Sequence, residues 1–252
     1  MVNSKCWAAV LGGCHGGISR EHVVSKAIFT SPGVTVQGFH WCKHEPKTVG
    51  IEAITSKVLC KKHNSDLTSL DEAAGAAFDC LRRQTKLYND RQKFSSRAIF
   101  AVERFVINAI LLERWLLKTL INLTWESNFF VGVDGDVKGT PSASLVNICY
   151  GLQPFPYKSG MYVAANIGME LDMKETVSFS PLIKDGERIL GGFFEFRGIR
   201  LFLCLEPQGF NYAFCSLPNI SPDWAHANLL RPFKQIKVKR GKRLSHTIDF
   251  CW

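Results

Sequence analysis

What is scarce in this 252-residue chain narrows its class before any motif is read. Long uncharged apolar runs are missing. The longest apolar stretch, residues 105–123, carries Glu113, Arg114 and Lys118 inside it, and charges at those depths are costly in a bilayer. No membrane-spanning helix is expected. Cysteine is sparse for a disulfide scaffold of this length, nine in all, so free thiols or metal ligands are the expectation. Internal repeats and low-complexity tracts are lacking, which argues against a solenoid. The first dozen residues offer one lysine and a short apolar run at 7–11, too short for a secretion signal, and the expected compartment is the cytoplasm. What remains is 46% hydrophobic and 12% aromatic, enough for one large or two small domains with a buried core.

Acidic residues are also in deficit, 22 against 31 Lys and Arg, for a net charge of +9. The excess is uneven. Residues 1–75 carry +2, 76–130 carry +4, 131–230 carry −3 and 231–252 carry +6. Basic groups gather in the C-terminal segment and at Arg82, Arg83, Lys86, Arg91, Lys93 and Arg97. Such clusters attract phosphate backbones through counterion release, although a solvated surface explains charge alone equally well. Histidine is skewed as well, with five of seven in residues 1–75.

Residues 1–69 read as short strands and loops, with apolar pieces at 18–28 and 51–59. A capping box, Ser69 with Glu72, predicts a helix start there. Leu70, Ala73, Ala74, Ala77, Phe78 and Leu81 then give one apolar face to about Tyr88, followed by a basic connector. Residues 98–107 fit a strand or a helix. Residues 108–123 predict a helix burying Leu111, Leu112, Trp115, Leu116 and Leu120. From Phe129 onward the pattern becomes short β-like runs, with a hairpin over 190–196 and 199–205 turning at Arg197-Gly198.

Chemistry concentrates near the N-terminus. Cys60-x-x-His63 has the spacing of a zinc knuckle, and Cys6 with Cys14 is the natural second pair for a four-ligand structural site. Cys42, His15, His40 and His44 are competing donors, and any one of these cysteines alone would read as a small buried hydrophobe. Cys80, Cys149, Cys204, Cys215 and Cys251 have no assigned role. Arg20, Lys26, Lys61 and Lys62 flank this region and could contact phosphates. In the tail, Lys237, Lys239 and Arg240 alternate with Ile236 and Val238, a cationic edge strand that could bind DNA or simply deter edge pairing.

In this order, Cys6 and Cys14, then Ser19-Arg20-Glu21-His22-Val23-Val24, then Leu59-Cys60-Lys61-Lys62-His63-Asn64 resemble the HNH nuclease superfamily, with its ββα-metal fold. The nearest likeness is to the endonuclease VII-like group, in which an asparagine follows the last zinc ligand. The likeness covers residues 6–75. It implies a structural zinc on Cys6, Cys14, Cys60 and His63. It also implies a catalytic Mg²⁺ or Mn²⁺ on Glu21 and Asn64, with His22 as general base. Three positions depart from the usual pattern: Glu21 stands where Asp is commoner, His63 replaces a second knuckle cysteine, and the Cys6–Cys14 gap is wide.

The residue types suit those roles. Carboxylate and amide oxygens suit a hard cation, thiolates and imidazole suit zinc, and histidine accepts protons near neutral pH. On a regular strand Glu21 and His22 would face opposite ways, so a bulge is required if both reach one phosphate. The expected architecture is α+β: a zinc-stabilised ββα-metal module over 1–90, then a helix and a β-rich domain over 91–252 with a basic tail. The expected activity is phosphodiester hydrolysis in DNA, in a bacterial or phage setting, with RNA an open alternative substrate. A zinc-folded nucleic-acid-binding or interaction module that does not cleave is the reading from another class.

Overall fold

The computed structural model describes residues 4–39, 41–95, 97–163, 175–207, 228–229 and 234–252, and its secondary structure is mixed α and β. Strand β1 (Ile18–His22) pairs antiparallel with β4 (Thr55–Cys60), and α1 (Lys61–Ser65) leaves β4 directly. Between these two arms the chain forms the antiparallel hairpin of β2 (Gly33–Gln37) and β3 (Lys47–Gly50), which belongs to another sheet. The helix α2 (Thr68–Gln92) then leads to β5 (Glu103–Asn108), α3 (Ala109–Thr124), β6 (Phe130–Val131) and α4 (Ala143–Cys149). A β-rich part follows: β7 (Gly160–Val163), β8 (Thr176–Lys184), β9 (Arg188–Phe196), β10 (Ile199–Cys204) and the short β11 (Asn228–Leu229). Strands β12 (Lys234–Arg240) and β13 (Arg243–Cys251) complete it.

The main sheet runs β11-β7-β10-β9-β8-β2-β3, with β6 beside β9. Its β2–β8 contact is parallel, so the hairpin inserted between β1 and β4 is stitched into the C-terminal strands. At that seam Gly38 (φ +84°) is obligatory, because a Cβ there would lie 1.7 Å from the Phe179 carbonyl oxygen. A second sheet has the order β12-β13-β5, with β13 and β5 parallel.

Helix α3 is the centre of the molecule. Trp115, Leu116, Leu117, Leu120 and Ile121 are fully buried on several of its faces, as befits a helix wrapped by other elements. Asn108 caps it, its side chain accepting from the Leu111 N–H at 3.1 Å. Two of the charges that argue against a membrane span, Glu113 and Lys118, are buried here against protein partners. Glu113 accepts from the Met161 N–H at 2.7 Å. Among the described residues no helix is long and apolar enough to cross a membrane.

The expected helix over 108–123 and the hairpin at Arg197-Gly198 are present. Arg197 and Gly198 both adopt positive φ (52° and 80°), the two-residue turn that matches strand twist. The Arg197 guanidinium is buried and donates to the Ile28 carbonyl at 3.1 Å, tying the turn to the N-terminal region. Residues 103–108 resolve the strand-or-helix ambiguity as a strand.

Three local expectations need correction. The capping box at Ser69 does not form. Helix α2 begins at Thr68 with Leu67 as a cap that makes no side-chain bond, because α1 runs into it and the Leu70 N–H already has the Leu67 carbonyl. The basic connector is instead the end of α2, where Asp79 pairs with Arg82 and Asp90 with Lys93, and Arg91 is buried against Glu103. Residues 143–149 are helical rather than β-like. Ser142 accepts from the Leu145 N–H at 3.2 Å, and Leu145, Val146, Ile148 and Cys149 form the buried face.

A pH effect follows from the second sheet. His246 on β13 is fully buried, with Nε2 2.9 Å from Gln84 Oε1 and its ring edge-on to Phe105. Burial, helped by the Arg91 charge, pulls its pKa down to about 4 from 6.5. The unfolded chain therefore takes up this proton first, so the histidine contributes no penalty above pH 6.5 and stability falls as pH drops from there towards 4. A loss of about 2–3 kcal/mol from this group is expected across that window, measured as urea midpoints of wild type against His246→Leu. A wild-type acid limb no steeper than the variant's would contradict it.

Candidate functional site

Four ligand atoms converge where β4 turns into α1. Cys60 ends the strand, His63 lies in the helix, and Cys6 and Cys14 come from the loop before β1. The turn is self-supporting, because the Cys60 sulfur accepts from the His63 N–H at 3.5 Å. All four donor atoms lie within 4.8 Å of one another. His63 Nδ1 is 3.3 Å from Cys6 Sγ, 3.4 Å from Cys60 Sγ and 3.7 Å from Cys14 Sγ. A tetrahedral zinc with Zn–S near 2.3 Å and Zn–N near 2.0–2.1 Å has S···N edges of about 3.5 Å. The cluster therefore has the donor types, number and dimensions to hold such an ion.

The electrostatics of the donors divide, with His63 and Cys60 favouring a metal and Cys6 opposing one. Burial lowers the His63 pKa, leaving a neutral lone pair for a metal at neutral pH. Burial pushes the Cys6 thiol up to about 12. Burial also opposes ionisation of Cys60, yet backbone N–H groups of His63 and His15 hold its thiol below the ordinary value. Of the competing donors, Cys42 is buried elsewhere with its thiol near the Val36 carbonyl. His15 and His44 are outside the cluster, and His40 lies outside the described residues.

An outer contact that spacing alone did not reveal comes from α4. The Tyr150 hydroxyl, kept protonated by burial, donates to the His63 carbonyl at 2.9 Å and its ring stands edge-on to the imidazole. Trp7 also meets the Tyr150 ring edge-on and donates to Asn122 Oδ1 at 3.0 Å. The ligand loop is thus clamped to α3 and α4.

Next to this cluster the β1–β4 register shifts between Ser19 and Glu21, but Glu21 and His22 themselves pair regularly with Ser56 and Thr55, so the shift does not bring the two side chains to one face. Glu21 and Asn64 come together: the Asn64 amide donates to Ser19 Oγ at 3.2 Å and hydrogen-bonds the Glu21 carboxylate. Two further residues join them. Lys118 from α3 makes an ion pair with Glu21 and reaches both oxygens of Asp71 at 2.9 and 2.8 Å. Burial alone would lower the Lys118 pKa, but the two carboxylates hold it above its ordinary value. Burial pushes the Glu21 carboxyl up against the opposing pull of Lys118 and Asn64. Neither Asp71 nor Lys118 carries a motif, and only the fold brings them here.

His22 points elsewhere. Its Nε2 lies 3.3 Å from Glu52 Oε2, an ion-pair distance without a well-formed hydrogen bond. Glu52 is exposed and pairs with Lys26 at 3.2 Å, and Lys26 first, then His22, draws its carboxyl below the ordinary range. The donor set of Glu21, Asn64 and Asp71 is all oxygen and fits a hard divalent cation. Such an ion would share Glu21 with the Lys118 ammonium or displace it.

The basic candidates divide. Arg20 and Lys61 are exposed, and Lys62 is exposed but paired with Asp66 at 3.0 Å. Lys237 and Lys239 project outward from β12, the edge of its sheet, while Val238 between them is buried. Arg240 is committed to the fold: its guanidinium donates to the Arg91 and Ser95 carbonyls and lies over the Phe100 ring. Comparisons of the chain with protein-family models, with curated proteins and with solved structures find no match.

Proposed function

We propose that the chain is a metal-dependent endonuclease acting on DNA, with a structural zinc at Cys6, Cys14, Cys60 and His63. The observation that carries this reading is the meeting of Glu21 with Asn64, one residue beyond the zinc-ligand candidate His63. A hydrolytic phosphodiesterase needs a polarised phosphate, an activated water and a stabilised leaving oxygen. A Mg²⁺ or Mn²⁺ held by Glu21 and Asn64 supplies charge neutralisation at the phosphate. His22 is the candidate base; its Nε2 lies beside Glu52 and away from Glu21 and Asn64, so taking a proton from water at that metal requires its ring to turn from Glu52. Arg20 and Lys61, both exposed near the ribbon, bind flanking phosphates, and Lys237 and Lys239 extend the basic surface.

A second reading has its own support. Glu21 is only 5% exposed and already holds an ammonium, which suits a zinc-folded module that binds nucleic acid without cutting it. Supercoiled plasmid incubated with and without Mg²⁺ or Mn²⁺ separates the two. The nuclease reading requires metal-dependent nicking that falls about 10²–10⁴-fold in His22→Ala. Plasmid left intact by wild type and variant alike, yet shifted equally in a gel, selects the binding module. A parallel RNA substrate decides between the two nucleic acids.

A further inference from the structure

A cavity of about 560 Å³ opens between the end of α3, strand β4 and the segment after β2. Its size falls in the range of small-molecule sites. Phe39, Trp41, Phe129 and Phe179 supply aromatic wall, and the exposed Lys43 supplies a cation. Thr55 and Ser56 line it from β4, opposite His22 and Glu21 in the ribbon. It therefore adjoins the candidate site without being part of it.

The polar groups around this cavity are unusual in one respect. Asn122, Trp125 and Ser127 all line it, and the Asn122 Nδ2, Trp125 Nε1 and Ser127 Oγ atoms are buried with no partner among the described residues. Native structures pair nearly all such groups, so three on one short stretch call for an explanation. Asn122 is 5% exposed and its orientation is set, because Oδ1 already accepts from Trp7 Nε1 at 3.0 Å. It has only N–H left to give. Trp125 is a donor by constitution, and Ser127 brings a hydroxyl. The cavity thus has an aromatic surface backed by three unpaired polar groups of its lining residues.

We propose that this cavity receives an unstacked heteroaromatic ring bearing hydrogen-bond acceptors, a nucleobase, and holds it by its acceptor edge. Aromatic walls stack on any base face, and carbonyl or ring-nitrogen acceptors answer the three donors. A hydrocarbon ligand would leave those donors unpaired, and a polyanion would meet only one lysine and the Glu126 carboxylate. The ring can belong to single-stranded nucleic acid or to a free nucleotide. The inference stands apart from cleavage, since a module that binds without cutting would capture a base in the same way.

The test uses the full chain with no added divalent metal and measures anisotropy of a labelled single-stranded oligothymidine. A strand of equal length with abasic residues is the comparison, and thymidine monophosphate is the competitor. Wild type is expected to prefer the base-bearing strand about 10-fold or more. Trp125→Phe, which keeps an aromatic ring but loses the N–H, and Ser127→Ala, which loses only the hydroxyl, should each lose about 3–10-fold on that strand and nothing on the abasic one. Displacement by micromolar monophosphate identifies the free nucleotide as the source of the ring, and resistance to it identifies the strand. Equal affinity for the two strands, no binding, or two variants that melt and bind like wild type overturns the proposal. Nicking assays on the same proteins stay independent: lost base preference with intact nicking rejects the cavity assignment alone, and base preference without nicking rejects the nuclease alone.

Discussion

Purified wild-type chain is expected to carry about one zinc, and Cys60→Ser to carry none. The three sulfurs already stand 3.3–3.7 Å from His63 Nδ1, so little rearrangement is needed to complete a tetrahedron. Structural zinc contributes roughly 10–16 kcal/mol in isolated finger peptides, because no site pre-exists in the unfolded chain. A domain with its own buried core loses less. A drop of at least about 4 kcal/mol is expected here, which for a chain of this size lowers the melting temperature by about 10 °C or more. Plasma emission spectrometry with thermal melting checks both numbers. Cys42→Ala serves as control, since its thiol is buried away from the cluster and zinc should be retained. Full zinc occupancy in Cys60→Ser would remove the centre.

Lys118→Met is expected to be the most damaging substitution outside the metal ligands, destabilising by about 3–5 kcal/mol at pH 7. The ammonium is 2% exposed and is the only cation paired with both Glu21 and Asp71 among the described residues. Removing it strands Glu21 as a buried charge, which costs more than the pair itself is worth. The loss should shrink in acid. Burial already raises the Glu21 pKa above 4.5, so in the variant the folded state escapes the penalty by taking up a proton as pH falls. In wild type the sign is reversed at the other end of the scale. The raised Lys118 pKa means its contribution is present below 10.5 and is lost only as pH climbs past the folded value. Urea unfolding at pH 5, 7 and 9 for wild type, Lys118→Met, Glu21→Leu and the double variant measures the coupling. A single variant within 1 kcal/mol of wild type at pH 7 would show the pair to be dispensable.

Much of the local structure was legible because short-range physics decides it. The helix at Ala109–Thr124 announces itself through Asn108 and its apolar spacing, and the Arg197-Gly198 turn through a glycine between two apolar runs. The Cys/His cluster was legible for the same reason: Cys60 and His63 are bound to one turn, which leaves only the second pair to be found. Ser69 misled because a capping box is a statement about an exposed helix start, and α1 removed the need for one. The arginines of residues 82–97 misled because charge count cannot tell a solvated cation from Arg91, whose partners Glu103 and Ser245 are set by the β5–β13 sheet. Asp71, Lys118, Tyr150 and the donors around the cavity were illegible for one cause. Each gains its meaning from a neighbour far away in sequence, and no spacing rule reaches that far.

The parallel pairings have a consequence for the order in which the protein is made. As the chain leaves the ribosome, β1, β4 and the ligand turn emerge together, and the ribbon can form early. Strand β2 must wait for β8, and β5 must wait for β13, where Phe105 sits opposite Ile248. During that interval two strands travel with open edges, which makes nascent chains prone to mispairing and chaperone capture. Closure by distant partners also makes folding slow for its size. Neither sheet can therefore close until its distant strand has been made, β8 for β2 and β13 for β5.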